Sequence, residues 1–191
     1  LRIHVDKKGI RALGIAESFQ KGASDKAVLA GVVMRGDMQI DGFEISEITL
    51  GGLDATDGVL EIFRGLGRRD INVILLNGCV ISLFNIIDME KVYAELALPI
   101  VCVTYEESEG LEKYFKEFDD SEARLEIYRR LGERTPVKLH TGHRVLVRYI
   151  GIEMREVQLL LDKFTLQGAI PEPLRVARIL ARSIFEFKWG E

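Results

Sequence analysis

Two short apolar runs limit what this chain can fold into. Residues 71–76 (INVILL) and 100–104 (IVCVT) are continuously apolar rather than alternating, the pattern of strands buried on both faces. Such strands belong inside a largely parallel sheet with helices packed on either side. Between the runs Asp88 starts a helix and Pro99 stops it, which makes the pair a β-α-β unit with a right-handed crossover.

The upstream third reads differently. Residues 11–19 (RALGIAESF) form an apolar run without helical periodicity, and residues 26–35 and 38–50 are strands joined by a Gly36-Asp37 turn, so three antiparallel strands come first. A helix over 54–67 connects them to the 71–76 strand. Residues 108–132 are amphipathic and charged, two helical pieces broken near Asp119 and Asp120; 136–150 is a hairpin about Thr141 and Gly142, and 153–164 and 172–187 are helices. The order β-β-β-α-β-α-β-α places strand one beside strand four in a mixed five-stranded sheet, with the hairpin appended outside the main order. This is a ribonuclease H-like α/β order. At 191 residues, 47% of them hydrophobic and 29% charged, the chain is expected to build one core as a single domain over 1–191.

The stretch 51–63 (GGLDATDGVLEIF) is the richest in candidate chemistry. Its two glycines break a strand end, and Asp54 and Asp57 open the following helix. Both acids suit the start of a helix, Asp54 as the N-cap and Asp57 beside the first-turn dipole. They also suit a hard divalent cation, which takes oxygen ligands from one or two carboxylates plus a substrate phosphate. Asp88 carries the same two readings, N-cap or ligand. Asn85 reads as a turn residue, and His140 and His143, in HxxH spacing across a hairpin turn, read as a solvated pair. His4 lies near the chain start.

Cys79 and Cys102 lack the close pairing of a zinc site and read as two buried thiols in a reducing compartment. No apolar run approaches the roughly 18 residues needed to cross a bilayer, and no basic-then-apolar leader opens the chain, so the expected location is cytoplasmic. The chain opens on Leu1 rather than Met, as a trimmed N-terminus does. The formal charge of −4 is unevenly spread: residues 1–123 carry 13 Lys/Arg against 22 Asp/Glu, and residues 124–148 seven against two. The late basic segment, with Arg129, Arg130, Arg134, Lys138, Arg144 and Arg148, either meets nucleic acid or pairs with the acidic first half. Arg175, Arg178 and Arg182 share one helix face, and bind phosphates or meet water and nearby acids. Phe19, Phe84, Tyr105 and Tyr149 are candidates for base stacking or for packing.

Residues 14–19 (GIAESF), 51–57, Asn77-Gly78, 84–88 (FNIID) and 171–175 (PEPLR) together resemble the archaeal endonuclease dU family, itself similar to endonuclease V. The resemblance runs from about Arg11 to about Phe185. It implies a metal-dependent endonuclease that uses Mg²⁺ or Mn²⁺ and nicks deoxyuridine-containing DNA in repair. The implied catalytic residues are Glu17, Asp54, Asp57 and Asp88, with Asp57, Asp88 and Glu17 as metal ligands. Arg144, Arg148, Arg175, Arg178 and Arg182 are the expected DNA contacts. Two departures weaken that site. Ala16 and Glu17 stand where the family usually has two adjacent aspartates, and Asn77 stands where endonuclease V has an aspartate. The alternative expectation is a nucleic-acid-binding protein on the same fold that has lost turnover.

Overall fold

In the computed structural model, which describes residues 5–107 and 110–190, a single seven-stranded sheet runs through the molecule. Its elements in chain order are β1 (Arg11–Ser18), β2 (Lys26–Arg35), β3 (Ile40–Thr49), α1 (Ala55–Leu66), β4 (Val73–Asn77), β5 (Val80–Ile81), β6 (Asn85–Ile86), α2 (Met89–Leu96), β7 (Ile100–Thr104), α3 (Glu112–Phe115), α4 (Ser121–Arg130), β8 (Thr135–Lys138), β9 (Arg144–Ile150), α5 (Met154–Phe164) and α6 (Glu172–Trp189). The strand order is β3-β2-β1-β4-β7-β9-β8. β1, β2 and β3 pair antiparallel, whereas β1-β4 and β4-β7 are parallel. Strand one therefore lies beside strand four, as the element order requires. His4, Ser108 and the start of the 108–132 stretch lie outside the described residues.

Two features of the strand pairing differ from the sequence expectation. The β8-β9 hairpin does not stand apart from the main order, because β9 pairs antiparallel with β7 and extends the sheet from five strands to seven. The edge of β7 would otherwise leave a row of unpaired backbone groups, and β9 supplies the partners. The second is a small antiparallel pair, β5-β6, whose two-residue strands are too short to leave a periodic signal.

Strand alternation sorts the core into two layers. Leu13, Ile15, Ile74 and Leu76 face α1 and α2, with Val59, Ile62 and Val92 across from them. Ala12, Val73, Leu75 and Val101 face α5 and α6, against Leu160, Phe164 and Leu174. β4 is buried on both faces, which is why its sequence shows no alternation. Gly14 sits on the α6 side, where an added Cβ would come within 2.5 Å of the Pro173 backbone. The missing side chain lets the start of α6 lie directly on β1.

Cys79 and Cys102 are not two separate thiols. The structure pairs them as a disulfide between the segment after β4 and strand β7, with Cα atoms 6.3 Å apart. Adjacent parallel strands bring the residues together although 23 positions separate them in sequence.

Candidate functional site at the carboxyl rim of the sheet

The ends of β1, β4 and β7 lie side by side and deliver Glu17, Asn77 and Thr104-Tyr105 to one rim of the sheet. The turn after β3 and the start of α1 add Asp54 and Asp57, and the β6-α2 segment adds Asn85 and Asp88.

Glu17 points toward the β5-β6 loop, where its carboxylate accepts hydrogen bonds from the Ser82 N–H at 3.0 Å and from the Ser82 hydroxyl. Burial pushes its pKa up, and the two Ser82 bonds oppose that rise. The loop it holds is strained: Ser82, Leu83 and Phe84 have φ of 43°, 58° and 67°, three consecutive non-glycine residues in the left-handed region. The neighbouring Ala16 faces the other way, buried with Val32 and Ala177 under α6. It is a core position here, among apolar neighbours.

Asp54 occupies the N-cap position of α1, but its side chain makes no capping bond. It reaches back to Thr49, accepting from the backbone N–H at 3.0 Å and the hydroxyl at 2.8 Å, and it accepts from Asn85 Nδ2 at 2.7 Å. Burial alone would raise its pKa; the bonds from Asn85 and Thr49 outweigh that and hold it below the usual carboxylate range. The cap is supplied by Asn85 instead, whose Oδ1 accepts from the Ala55 N–H at 2.9 Å while its Nδ2 also donates to the Thr49 carbonyl at 2.9 Å. Asn85 is fully buried. It is thus the joint of β3, α1 and β6 rather than a turn residue.

Asp88 does cap α2, accepting from Lys91 N–H at 3.1 Å, and its other oxygen meets Arg130 Nη2 at 2.5 Å. Asp57 projects to solvent with its side chain 62% exposed, 3.2 Å from Lys91 Nζ. Each of the four predicted carboxylates therefore has a protein partner. Among the described residues no three His, Cys, Asp or Glu side chains come together as a metal-binding group. As arranged, no three of these carboxylates form a ready ligand set, and each is turned to its own protein partner. His140 and His143 are exposed on the hairpin turn, and the His140 ring meets the Thr165 carbonyl at 2.8 Å.

The residue that sequence reasoning missed is Arg124. It is buried to 2% exposure on α4, and its guanidinium donates to the carbonyls of Gly51, Gly52 and Phe84 and pairs with Asp120. The Phe118 ring lies 4.0 Å from it. One side chain thereby pins the β3-α1 turn to the strained loop. Nothing in the local sequence distinguishes it from the exposed arginines Arg129 and Arg130 nearby.

The predicted arginines separate into groups. Arg175 forks onto the buried Glu172, and Arg182 pairs with Glu186 at 2.7 Å. Arg178 lies between them and acts electrostatically on Tyr105, whose phenol burial holds above its usual range and whose hydroxyl donates to Asn77 Oδ1 at 2.9 Å. With Glu17 and Ser18, the three arginines line a shallow cavity of about 280 Å³. A second pocket, of about 310 Å³, opens beyond the ends of β4 and β7, lined by Asn77, Gly78, Tyr105, Tyr128, Arg134 and Arg148 among others. The basic 124–148 segment is split: Arg130 turns to Asp88, Glu90 and Glu126, while Arg129, Arg134, Arg144 and Arg148 face a groove next to that pocket. No helix is long and apolar enough to cross a membrane among the described residues.

Comparison with known proteins agrees with this geometry. A protein of Archaeoglobus fulgidus has the same fold with a TM-score of 0.79 and 28% identity, over 92% of this chain and 98% of that one. Endonuclease V of Ciona intestinalis, solved with a 24mer DNA containing an inosine followed by a ribo-adenosine, superposes with a TM-score of 0.66 at 14% identity, over 95% of this chain and 88% of that one. The fold is therefore that of endonuclease V, a ribonuclease H-like sheet. In sequence, UPF0215 proteins of Pyrobaculum calidifontis and Methanosarcina mazei are 36% and 33% identical, covering 92% and 93% of this chain and 97% and 92% of theirs. The family model described as Endonuclease dU matches residues 8–185, and with that span, the whole sheet and all helices but the last residues of α6, the chain belongs to the endonuclease dU family.

Proposed function

We propose that this protein is a nucleic-acid-binding member of the endonuclease dU family in which metal-dependent turnover is weakened or lost, and that it holds DNA along the carboxyl rim of β1, β4 and β7. One observation carries the reading: Glu17, Asp54, Asp57 and Asp88 each have a protein partner, Ser82, Thr49 with Asn85, Lys91 and Arg130 respectively. A site that activates water with divalent ions needs those oxygens turned toward one another. Arginines line both cavities of the rim, Arg175, Arg178 and Arg182 in one and Arg134 and Arg148 in the other. The pocket lined by Asn77 has room for one unstacked base, and with its Oδ1 held by the Tyr105 hydroxyl the Asn77 amide has N–H donors for an incoming carbonyl such as either of those of uracil.

A second reading, Mg²⁺- or Mn²⁺-dependent nicking of deoxyuridine-containing DNA, is favoured by the family match over residues 8–185 and by the exposure of Asp57. Both readings place the protein with DNA.

The test is a labelled duplex carrying a single deoxyuridine, incubated with the whole chain in Mg²⁺, Mn²⁺ or chelator. Retention of the DNA in chelator, with Mn²⁺-dependent cleavage no faster than that of Asp57→Ala, is the expected result. Nicking at the deoxyuridine that needs metal and disappears in Asp57→Ala makes the second reading correct. Failure to retain DNA in any condition removes the first.

A further inference from the structure

We infer that the groove between the end of α4 and the outer face of β9 is a binding track for a single-stranded polynucleotide, DNA or RNA, rather than for a duplex. The inference rests on the nucleic-acid-binding reading above and names the form of nucleic acid that the surface takes.

The groove encloses about 760 Å³. Arg144, Leu146 and Arg148 alternate along β9 and so share the face that lines it, while Val145 and Val147 point into the opposite core layer. Tyr128 and Arg129 close it from α4 and Pro136 from β8. The cations are graded in depth. Arg144 and Arg129 are exposed. Arg148 is recessed: its Nε donates to the Gly132 carbonyl at 2.9 Å, its guanidinium carbon lies 5.8 Å from the centre of the Tyr128 ring, and burial lowers its pKa. A guanidinium held at that depth against an aromatic ring meets a flexible strand that can bend into the groove. The outer phosphates of a rigid duplex do not reach it.

Two further observations point the same way. Tyr128 and Pro136 present ring and apolar surface, which serves exposed bases and is of no use to a phosphate backbone whose bases are stacked inside a duplex. Glu107, Glu112 and Glu133 line the same groove as the arginines. One strand has a single line of phosphates to set beside the arginines, whereas a duplex must bring a second line past those acids. The groove is also continuous with the base-sized pocket, since Tyr128, Arg134 and Arg148 line both. A strand lying in the groove would lead directly into that pocket.

The experiment is fluorescence anisotropy on the whole chain with a labelled oligothymidylate, an oligouridylate of equal length, and a mixed-sequence duplex, each over a salt series. The single strands should bind about tenfold or more tightly than the duplex, as stacking platforms for unpaired bases do. Arg144→Ala should weaken single-strand binding severalfold and flatten its salt slope by about 0.7, the value for one lost phosphate contact on a single strand. Glu107→Gln/Glu133→Gln, which leaves every arginine in place, should raise duplex affinity more than single-strand affinity. The two oligonucleotides tell DNA from RNA, and binding of either supports the track. Equal or tighter duplex binding, or single-strand binding unchanged in Arg144→Ala, overturns the inference while leaving the DNA-binding reading standing. No binding of any of the three overturns both. Thermal melts confirm that each variant is folded.

Discussion

Asn85 Nδ2 donates to Asp54 Oδ1 at 2.7 Å while Asn85 Oδ1 accepts from the first N–H of α1 at 2.9 Å. A buried amide thus does the capping, and the acid beside it holds the amide in place. The arrangement satisfies the Thr49 N–H, the Thr49 carbonyl and a helix N-terminus together.

Asp54→Ala should therefore cost about 1–3 kcal/mol, since it leaves the Thr49 N–H and one Asn85 N–H unpaired in a partly buried site. The loss should be read by denaturant unfolding at neutral pH. Because the folded Asp54 has a depressed pKa, its contribution is present above the ordinary aspartate value of 3.8 and is lost as pH falls through the folded pKa. The wild type and variant should converge in acid. A difference that stays constant down to the acid limit would show that ionisation of Asp54 is not what stabilises the joint.

Glu17 has the opposite sign. Its folded pKa is raised, so the linkage favours folding at pH below the ordinary glutamate value of 4.5, and the advantage is lost as pH rises through the folded pKa. Glu17→Gln, which removes the charge and keeps an acceptor for the Ser82 N–H, should be as stable as wild type or more so at pH 7. It should lose that advantage below about pH 4, where the wild-type acid is itself neutral. Melting curves of both proteins across pH check this, and a variant much less stable at pH 7 would mean that the ionised carboxylate is needed to hold the Ser82–Phe84 loop.

Arg124→Ala removes the donor to three carbonyls in two segments and should destabilise by about 3 kcal/mol or more. Arg124→Lys should recover little, because one ammonium cannot span the carbonyls of Gly51, Gly52 and Phe84 as a planar fork does. Hydrogen exchange should show the 78–87 segment losing protection in both variants. Rescue by lysine would mean that charge alone matters.

Gly14→Ala places a Cβ against the Pro173 backbone and should cost about 1–3 kcal/mol by pushing α6 off β1. A melting temperature within a degree of wild type would show that α6 is free to shift.

The apolar runs at 71–76 and 100–104 determined the centre of the sheet before any coordinates, because a strand buried on both faces has no polar position to spare. The Gly36-Asp37 turn and the stop at Pro99 set the connections in the same local way. Helix starts were readable too: Asp88 caps α2 as its sequence context requires. The fate of each side chain was not readable. Asp54 sits at the predicted cap position but bonds to Thr49 and Asn85, because β6 arrives from 30 residues away with a better-placed acceptor. The pairing of Cys79 with Cys102, the attachment of β9 to β7 and the burial of Arg124 are likewise contacts between distant segments. Local sequence decides most of the backbone conformation, since φ and ψ respond to near neighbours; the left-handed Ser82–Phe84 run, held by the distant Glu17 and Arg124, is an exception. Which lone pair meets which donor depends on where distant segments come to rest, and only the tertiary structure decides that.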